Sequence, residues 1–443
     1  MTAPLLIDNG TILTGGEKTA VLPGHSVLIE DGRIARIAPA RALASFRGRR
    51  LDASGQVVLP GLINAHTHWY SAFARGMTKT RPATDFGEVL RHLWWRLDSA
   101  LTTEDCHVSA LLGLIDSIRH GTTTVIDHHA SPNAVEGSLD ALARAVRATG
   151  MRACLCYEVS DRGGAGIARA GLAENAAFLR RCQRAPDPHL AGLFGLHASF
   201  TLSDRTLDAA VGLARDLGAG FHLHVAEAPS DQTIARRRHR RSVVARLAHA
   251  GILGERTLAA HCIHVGRREM DLLAETGTAA IHNPQSNLNN AVGIADVVAL
   301  AARGVRVGLG TDAMTANLLE ELRVALWAQH LRAGNPSVGF AEVVRALTVN
   351  NARIASQIFG RPLGRLAEGA AADVVIADYD PPTPLTRGNW AGHLVFGLSQ
   401  AAIDTTIVDG RVLMRHRQLT LDLDEARLHA RARRLATRLW QRL

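Results

Sequence analysis

Between residues 61 and 365 the chain alternates short apolar runs with longer stretches of helical periodicity. The runs are 62–66, 122–127, 153–159, 193–197, 221–225, 257–261, 279–282 and 305–310. Short apolar runs bounded by turn residues read as buried strands, and strands alternating with amphipathic stretches read as βα units. Eight such units predict an α/β fold of the (β/α)8 TIM-barrel kind. The flanks have a different texture. Residues 5–7, 11–13, 26–29 and 34–37 read as short strands, with Asp31-Gly32 as a hairpin turn between the last two. Residues 372–377, 405–408 and 411–413 repeat the pattern, again with an Asp-Gly turn at 409–410. The two flanks therefore predict a small discontinuous β-sandwich domain built from both chain ends, 1–60 and 366–443, with the barrel, 61–365, inserted between them. A last amphipathic helix is predicted over 424–443, packing on the fold or on a partner.

Polar residues gather where the predicted strands end: His66, His68, Asp127, Glu158, His197, His224, His261 and Asp312. The C-terminal ends of barrel strands carry the active site of such a fold. His66 and His68 are two apart on one strand, so their imidazoles project from the same face, as two ligands of one metal ion must. One histidine of Phe221-His222-Leu223-His224 and the carboxylate of Asp312 complete a candidate set, which suits zinc, with ferrous iron as the alternative. Glu227, just past the fifth strand, is placed to carry a proton from water to a leaving group. His261, ending the sixth, is placed to polarise the carbon under attack or to stabilise an oxyanion. Trp94, Trp95, His128, His129, Glu158, Asp161 and His197 are candidate substrate contacts, although two adjacent helical residues face different ways, so only one of Trp94 and Trp95 is expected to do so. Arg75 and Asn287 read as loop-fixing residues, and Cys262 as a packing thiol.

Composition adds limits. No apolar run reaches the length of a membrane span, and the first residues lack a basic segment followed by an apolar one. The five cysteines lie in apolar segments and read as buried free thiols, so a cytoplasmic location is expected. The formal charge is +9, and Lys18 and Lys79 are the only lysines. The run 236–241, Arg-Arg-Arg-His-Arg-Arg, keeps an Arg-rich nucleic-acid binder in view. Neither this run nor the basic C-terminal helix is interleaved with aromatics, so both are expected to be solvated helix faces and no nucleic-acid partner is expected.

The segments Pro60-Gly61-Leu62-Ile63-Asn64-Ala65-His66-Thr67-His68, His224-Val225-Ala226-Glu227, Ala260-His261-Cys262 and Gly310-Thr311-Asp312 together resemble the amidohydrolase superfamily. More narrowly they resemble its branch of guanine, cytosine and S-adenosylhomocysteine deaminases and triazine chlorohydrolases, and the stretches at 68–71, 93–98, 125–132 and 283–287 look like the SsnA group of aminohydrolases within it. The resemblance spans the chain. It implies that His224, the ligand followed three residues later by Glu, is chosen over His222, which becomes barrel filling one layer deeper. It also implies one divalent metal, bound by His66, His68, His224 and Asp312, with Glu227, His261 and Asp312 catalytic. The fourth strand, Leu193-Phe194-Gly195-Leu196-His197, lacks the lysine that dinuclear relatives carboxylate, and Lys79 cannot replace it. The function so implied is hydrolytic deamination of a small aminated nitrogen heterocycle with release of ammonia. Loss of a halide, an alkylamine or a formimino nitrogen at the same site is the alternative. Oligomeric state is open, with a homodimer as one outcome.

Overall fold

Both Asp-Gly pairs turn as hairpins need. Asp31 and Gly32 have φ of 48° and 73°, and Asp409 and Gly410 have 46° and 74°, the positive values of a type I′ turn. In the computed structural model, which describes residues 3–77 and 81–443, the two turns abut: a Cβ on Gly32 would lie 3.1 Å from the carbonyl oxygen of Asp409. Lys79 falls outside the described residues. Around these turns the chain ends share one nine-stranded sheet. Its central seam pairs Val57–Pro60 antiparallel with Val374–Asp378, in register Val374↔Pro60 to Ala377↔Val57. Leu5–Leu13 runs parallel to Arg49–Asp52 along its first half and to Val57–Pro60 along its second, so the sheet forks there. Ile7, Val27, Ile34, Val58, Val374 and Ile407 come from both ends and bury one another in a single core. Hydrogen bonding joins the strands of both chain ends into one forked sheet.

The strand Val57–Pro60 feeds straight into Leu62–Thr67, whose six residues are all buried. This is the first of a set of parallel strands. Thr122–His129, Arg152–Tyr157 and Leu190–Gly192 extend it in one sheet. Phe194–Ala198, Phe221–Val225, Leu258–His261, Ala279–His282 and Val307–Leu309 form a second. The fourth position is split between the sheets: Leu190–Gly192 pairs with the third strand, and Phe194–Ala198, one residue on, with the fifth. On the far side the first and eighth strands meet at the bridge Thr67↔Asp312, where the amides of Thr311 and Asp312 donate to the His66 carbonyl at 2.9 and 3.0 Å. Glycines mark both seams. A Cβ on Gly195 would lie 2.3 Å from the Tyr157 carbonyl oxygen, and one on Gly310 would lie 2.8 Å from the Cβ of His66.

Helices cover the strands from outside. The helix Thr103–Arg119 starts at a reciprocal capping box between Thr102 and Asp105. The last helix, Glu425–Gln441, capped by Asp424, packs on this chain: Trp440 Nε1 donates to the Phe73 carbonyl at 2.8 Å, and Arg431 pairs with Glu104. Arg152, on the third parallel strand, is fully buried between Asp373 and Asp409 of the terminal sheet, with Asp409 at 2.7 Å. The basic run straddles a helix end: Pro229–His239 is helical, Arg240 caps it in the left-handed region, and Arg241 lies beyond. Its five arginines are exposed. Four cysteines are buried as expected, while Cys182 is only half-buried because it lies on the outer helix Ala165–Arg184. No helix among the described residues is long and apolar enough to cross a membrane.

Candidate active site

The alternation of the first strand sends His66 and His68 inward together, their ring centroids 4.8 Å apart. The fifth strand does the same with His222 and His224. The other groups arrive by departures from regular strand geometry. Ala226, His261 and Asp312 have φ of 47°, 72° and 52°, values that cost non-glycine residues energy and recur at functional sites. These bends swing Glu227, His261 and Asp312 inward. His68 Nε2 lies 3.2 Å from Asp312 Oδ1, His66 Nε2 3.9 Å from the same oxygen, and His224 Nε2 3.2 Å from His68 Nε2. His261 Nε2 lies 3.4 Å from Glu227 Oε2 and 3.6 Å from Asp312 Oδ2. All six residues are buried.

The donor set fits a divalent cation. His68 Nδ1 donates to the carbonyl of His128 at 2.5 Å, and His224 Nδ1 to that of His197 at 3.0 Å. A carbonyl only accepts, so in the neutral rings both Nε2 atoms are bare lone pairs facing each other, a contact that needs a positive charge beside it. His66 Nε2 and His261 Nε2 are buried without partners in the same space. Triplets from this group, His66–His68–Asp312 and His66–His224–His261, each offer ligand atoms within 4.8 Å of one another. Without an ion, a proton on His68 takes the place of that positive charge. Burial opposes a charge on His68, yet the Asp312 carboxylate lifts its pKa to about 9. Burial likewise opposes ionisation of Asp312, and His68 nevertheless holds it well below the usual carboxylate range. His66 and His224 are kept neutral, first by burial and then by neighbouring imidazoles. Glu227 goes the other way: burial, then Asp312 and Asp231, push it well above the usual carboxylate range.

A cavity opens onto this cluster. Of the expected contacts, Glu158, His197, Trp94 and Trp95 line it. Both indoles do so, contrary to the expectation of one. The segment Leu90–Trp94 is a π turn running into the helix Trp95–Ala100, and the two rings meet different neighbours, Trp94 the ring of Tyr70 and Trp95 that of His197. His128, His129 and Asp161 lie elsewhere. His128 is beneath the cavity, with Nε2 3.1 Å from the carbonyls of Leu196 and His222 and Nδ1 3.4 Å from Glu158. His129 Nε2 bonds the Ser131 hydroxyl at 3.0 Å. Asp161 caps a loop, accepting from the Ser203 amide at 2.6 Å and the Thr206 hydroxyl at 2.8 Å. Burial would raise Glu158, but His197 and His128 hold it down to about 2.

Tyr70, Phe86, Asp98, Phe200, Asp231 and Asn290 also line the cavity and carried no strand-end signal. Asp98 pairs with Arg162, whose guanidinium lies 5.3 Å from the centre of the Trp95 ring. Asn287 does fix a neighbour, its Oδ1 2.8 Å from His261 Nδ1. Arg75 makes a surface pair with Asp116 at 3.4 Å. Cys262 is a buried thiol facing the Ala259 carbonyl at 3.5 Å.

Residues 57–413 match the Amidohydrolase family. The chain is 34% identical to a 5-methylthioadenosine/S-adenosylhomocysteine deaminase of Desulforudis audaxviator, over 93% of this chain and 94% of the relative. It is 32% identical to a 5'-deoxyadenosine deaminase of Methanosarcina mazei, over 100% and 99%. Among solved structures, a zinc-bound adenosine deaminase from Xanthomonas campestris superposes with a TM-score of 0.87 at 26% identity, covering 98% of each chain. An atrazine chlorohydrolase from Arthrobacter aurescens, also with zinc, shares the fold at a TM-score of 0.82 and 23% identity, over 98% and 100%. With the match running through all four histidine- and aspartate-bearing segments, this chain belongs to the amidohydrolase family.

Proposed function

We propose that the chain is a metal-dependent hydrolase that deaminates an aminated nitrogen heterocycle, an adenine nucleoside being the first class to try. The observation that carries this is the meeting, on one aromatic-walled cavity, of the buried side chains of His66, His68, His224 and Asp312 with the Glu227 carboxyl and the His261 imidazole. His66, His68, His224 and Asp312 would hold the ion, and their nitrogen and oxygen donors suit zinc. Such an ion, when bound, supplies Lewis acidity that brings the pKa of water to about 7.

The residues of the chain do the rest. The indoles of Trp94 and Trp95 offer faces for a flat ring. Glu227, holding its proton, donates to the ring nitrogen beside the amino-bearing carbon, which makes that carbon electrophilic. Asp312 accepts a proton from the attacking water, and His261, through Nε2, steadies the oxygen that becomes the product carbonyl. Glu227, left as a carboxylate, takes the hydroxyl proton of the adduct and passes it to the amino group, the C–N bond breaks, ammonia leaves, and the proton held by Asp312 restores Glu227. One water is consumed and C–NH2 becomes C=O.

The same reading takes residues 61–365 as one closed (β/α)8 barrel and 1–60 with 366–443 as a second domain. The split fourth strand, the Thr67↔Asp312 bridge and the zinc-bound neighbour support it. It includes a small-molecule substrate, no nucleic-acid partner and a cytoplasmic location. The test is ammonia release by the zinc-loaded protein from a panel of adenosine, its 5'-deoxy and 5'-methylthio forms, guanine and cytosine. Turnover of at least one aminated ring, lost on chelation, is the expected result. Release of chloride from a chlorotriazine with no ammonia from any aminated ring would replace deamination by the alternative.

A further inference from the structure

We infer that His222 is a positioning residue for the metal: it sets the tautomer of His66 by accepting a hydrogen bond at its Nε2. The inference rests on the reading of His66 as a ligand through Nε2. The two other ligand rings are braced at Nδ1 by carbonyl oxygens, His68 by that of His128 and His224 by that of His197. Each brace accepts, so each leaves its ring with a free lone pair at Nε2. His66 differs. Its Nδ1 lies 2.8 Å from His222 Nε2, another imidazole nitrogen, which can serve as donor or acceptor.

Two neutral arrangements of this pair exist. In one, His66 Nδ1–H donates to His222 and His66 Nε2 is open to a cation. In the other, His222 Nε2–H donates to His66, whose own hydrogen then sits on Nε2 and closes it. The far side of His222 decides between them. Its Nδ1 lies 3.7 Å from Cys156 Sγ, and that thiol lies 3.5 Å from the Asp127 carbonyl oxygen. The carbonyl accepts only, so the thiol hydrogen points to it, and the sulfur lone pair is left to receive the Nδ1–H of His222. Every hydrogen is then used in one direction, from His66 through His222 and Cys156 to Asp127. In the opposite arrangement the single thiol hydrogen faces two acceptors, so either His222 Nδ1 is left without a donor or the Asp127 carbonyl without the thiol. His66, His222 and Cys156 are all fully buried, which leaves this order to the side chains themselves. His222 thus does more than fill the barrel beneath the site.

The experiment measures zinc affinity by competition with a chromophoric chelator, with circular dichroism of the metal-free proteins as the fold control. His222→Gln keeps an acceptor where Nε2 was, while His222→Phe keeps the volume and accepts nothing. His222→Phe is expected to weaken zinc binding by about 10–100-fold and His222→Gln by no more than about threefold, as for a lost and a replaced outer partner of a metal-bound histidine. Filling alone predicts the reverse order, so wild-type affinity in His222→Phe overturns the inference. If that variant does not fold, Cys156→Val replaces it: a several-fold weaker affinity is expected, and none overturns. His66→Ala separates the layers of the argument. Loss of zinc there with none in His222→Phe defeats only the positioning role, whereas zinc retained in His66→Ala defeats the ligand reading beneath it.

Discussion

Left-handed backbone at Ala226, His261 and Asp312 is what lets three different strands aim Glu227, His261 and Asp312 at one point. Each such residue costs on the order of 1–2 kcal/mol, and the surrounding strands hold it in place. The roles of the three side chains are therefore separable by substitution. Glu227→Gln keeps the volume and all proposed ligands, so metal content and fold should be unchanged while turnover falls by about 10²–10⁴-fold, as for a lost acid–base group. His261→Asn should retain metal and lose about 10²–10³-fold in rate, in the range of a missing oxyanion donor. Asp312→Asn should lose both, because it removes the one charged member of the donor set. Metal analysis beside steady-state rates reads all three, and normal turnover in Glu227→Gln would move the acid–base role to Glu158. Most of this cluster was legible in the sequence because period-two alternation tells which residues share a face. It does not tell depth: His128 and His129 end a strand as His66 and His68 do, yet they stop beneath the cavity and beside it. The second indole at the wall follows a π turn, for which the sequence carries no mark. Asp98 and Phe200 come from segments whose approach only the folded chain defines.

At the scale of elements, the two seams between the parallel sheets can be probed through their glycines. Gly195 faces the Tyr157 carbonyl and Gly310 faces His66, both too closely for a side chain. Gly195→Ala and Gly310→Ala are each expected to lose about 1–3 kcal/mol of stability, the range of an overpacked core, measured as a lower urea midpoint. They should differ in metal content. Gly310→Ala pushes directly on the Cβ of His66 and should weaken metal binding, whereas Gly195→Ala strains a seam made by other strands and should not. Equal metal affinity in both would mean that the eighth strand does not set the position of His66. The strand order itself follows from the apolar runs, because short buried stretches between amphipathic helices have few other arrangements. The split of the fourth strand does not, since Leu193 is as apolar as its neighbours and the interruption arises from pairing with two different partners.

The whole molecule is tied together by Arg152, the guanidinium that the third parallel strand inserts between Asp373 and Asp409 of the terminal sheet. Replacing one partner of such a buried set leaves uncompensated charge, so Arg152→Met should cost about 3–5 kcal/mol, read as a lower thermal midpoint with the metal site intact in the folded fraction. A change within error would show that the two acids are neutralised by Arg361 instead, which lies 2.7 Å from Asp409. The shared sheet also has a bearing on how the chain is made. Val57–Pro60 leaves the ribosome early, but its antiparallel partner, Val374–Asp378, is more than three hundred residues behind. At about 5–20 residues per second, roughly 15–60 s pass before that partner emerges. Through that interval the first strands present an unpaired edge, the feature most prone to pairing with another chain. A nascent chain halted before residue 374 should therefore be captured by chaperones or aggregate even with all eight parallel strands already synthesised. For this protein, completion of the parallel strands and protection of the strand Val57–Pro60 are separate events in time, and the second waits on the emergence of Val374–Asp378.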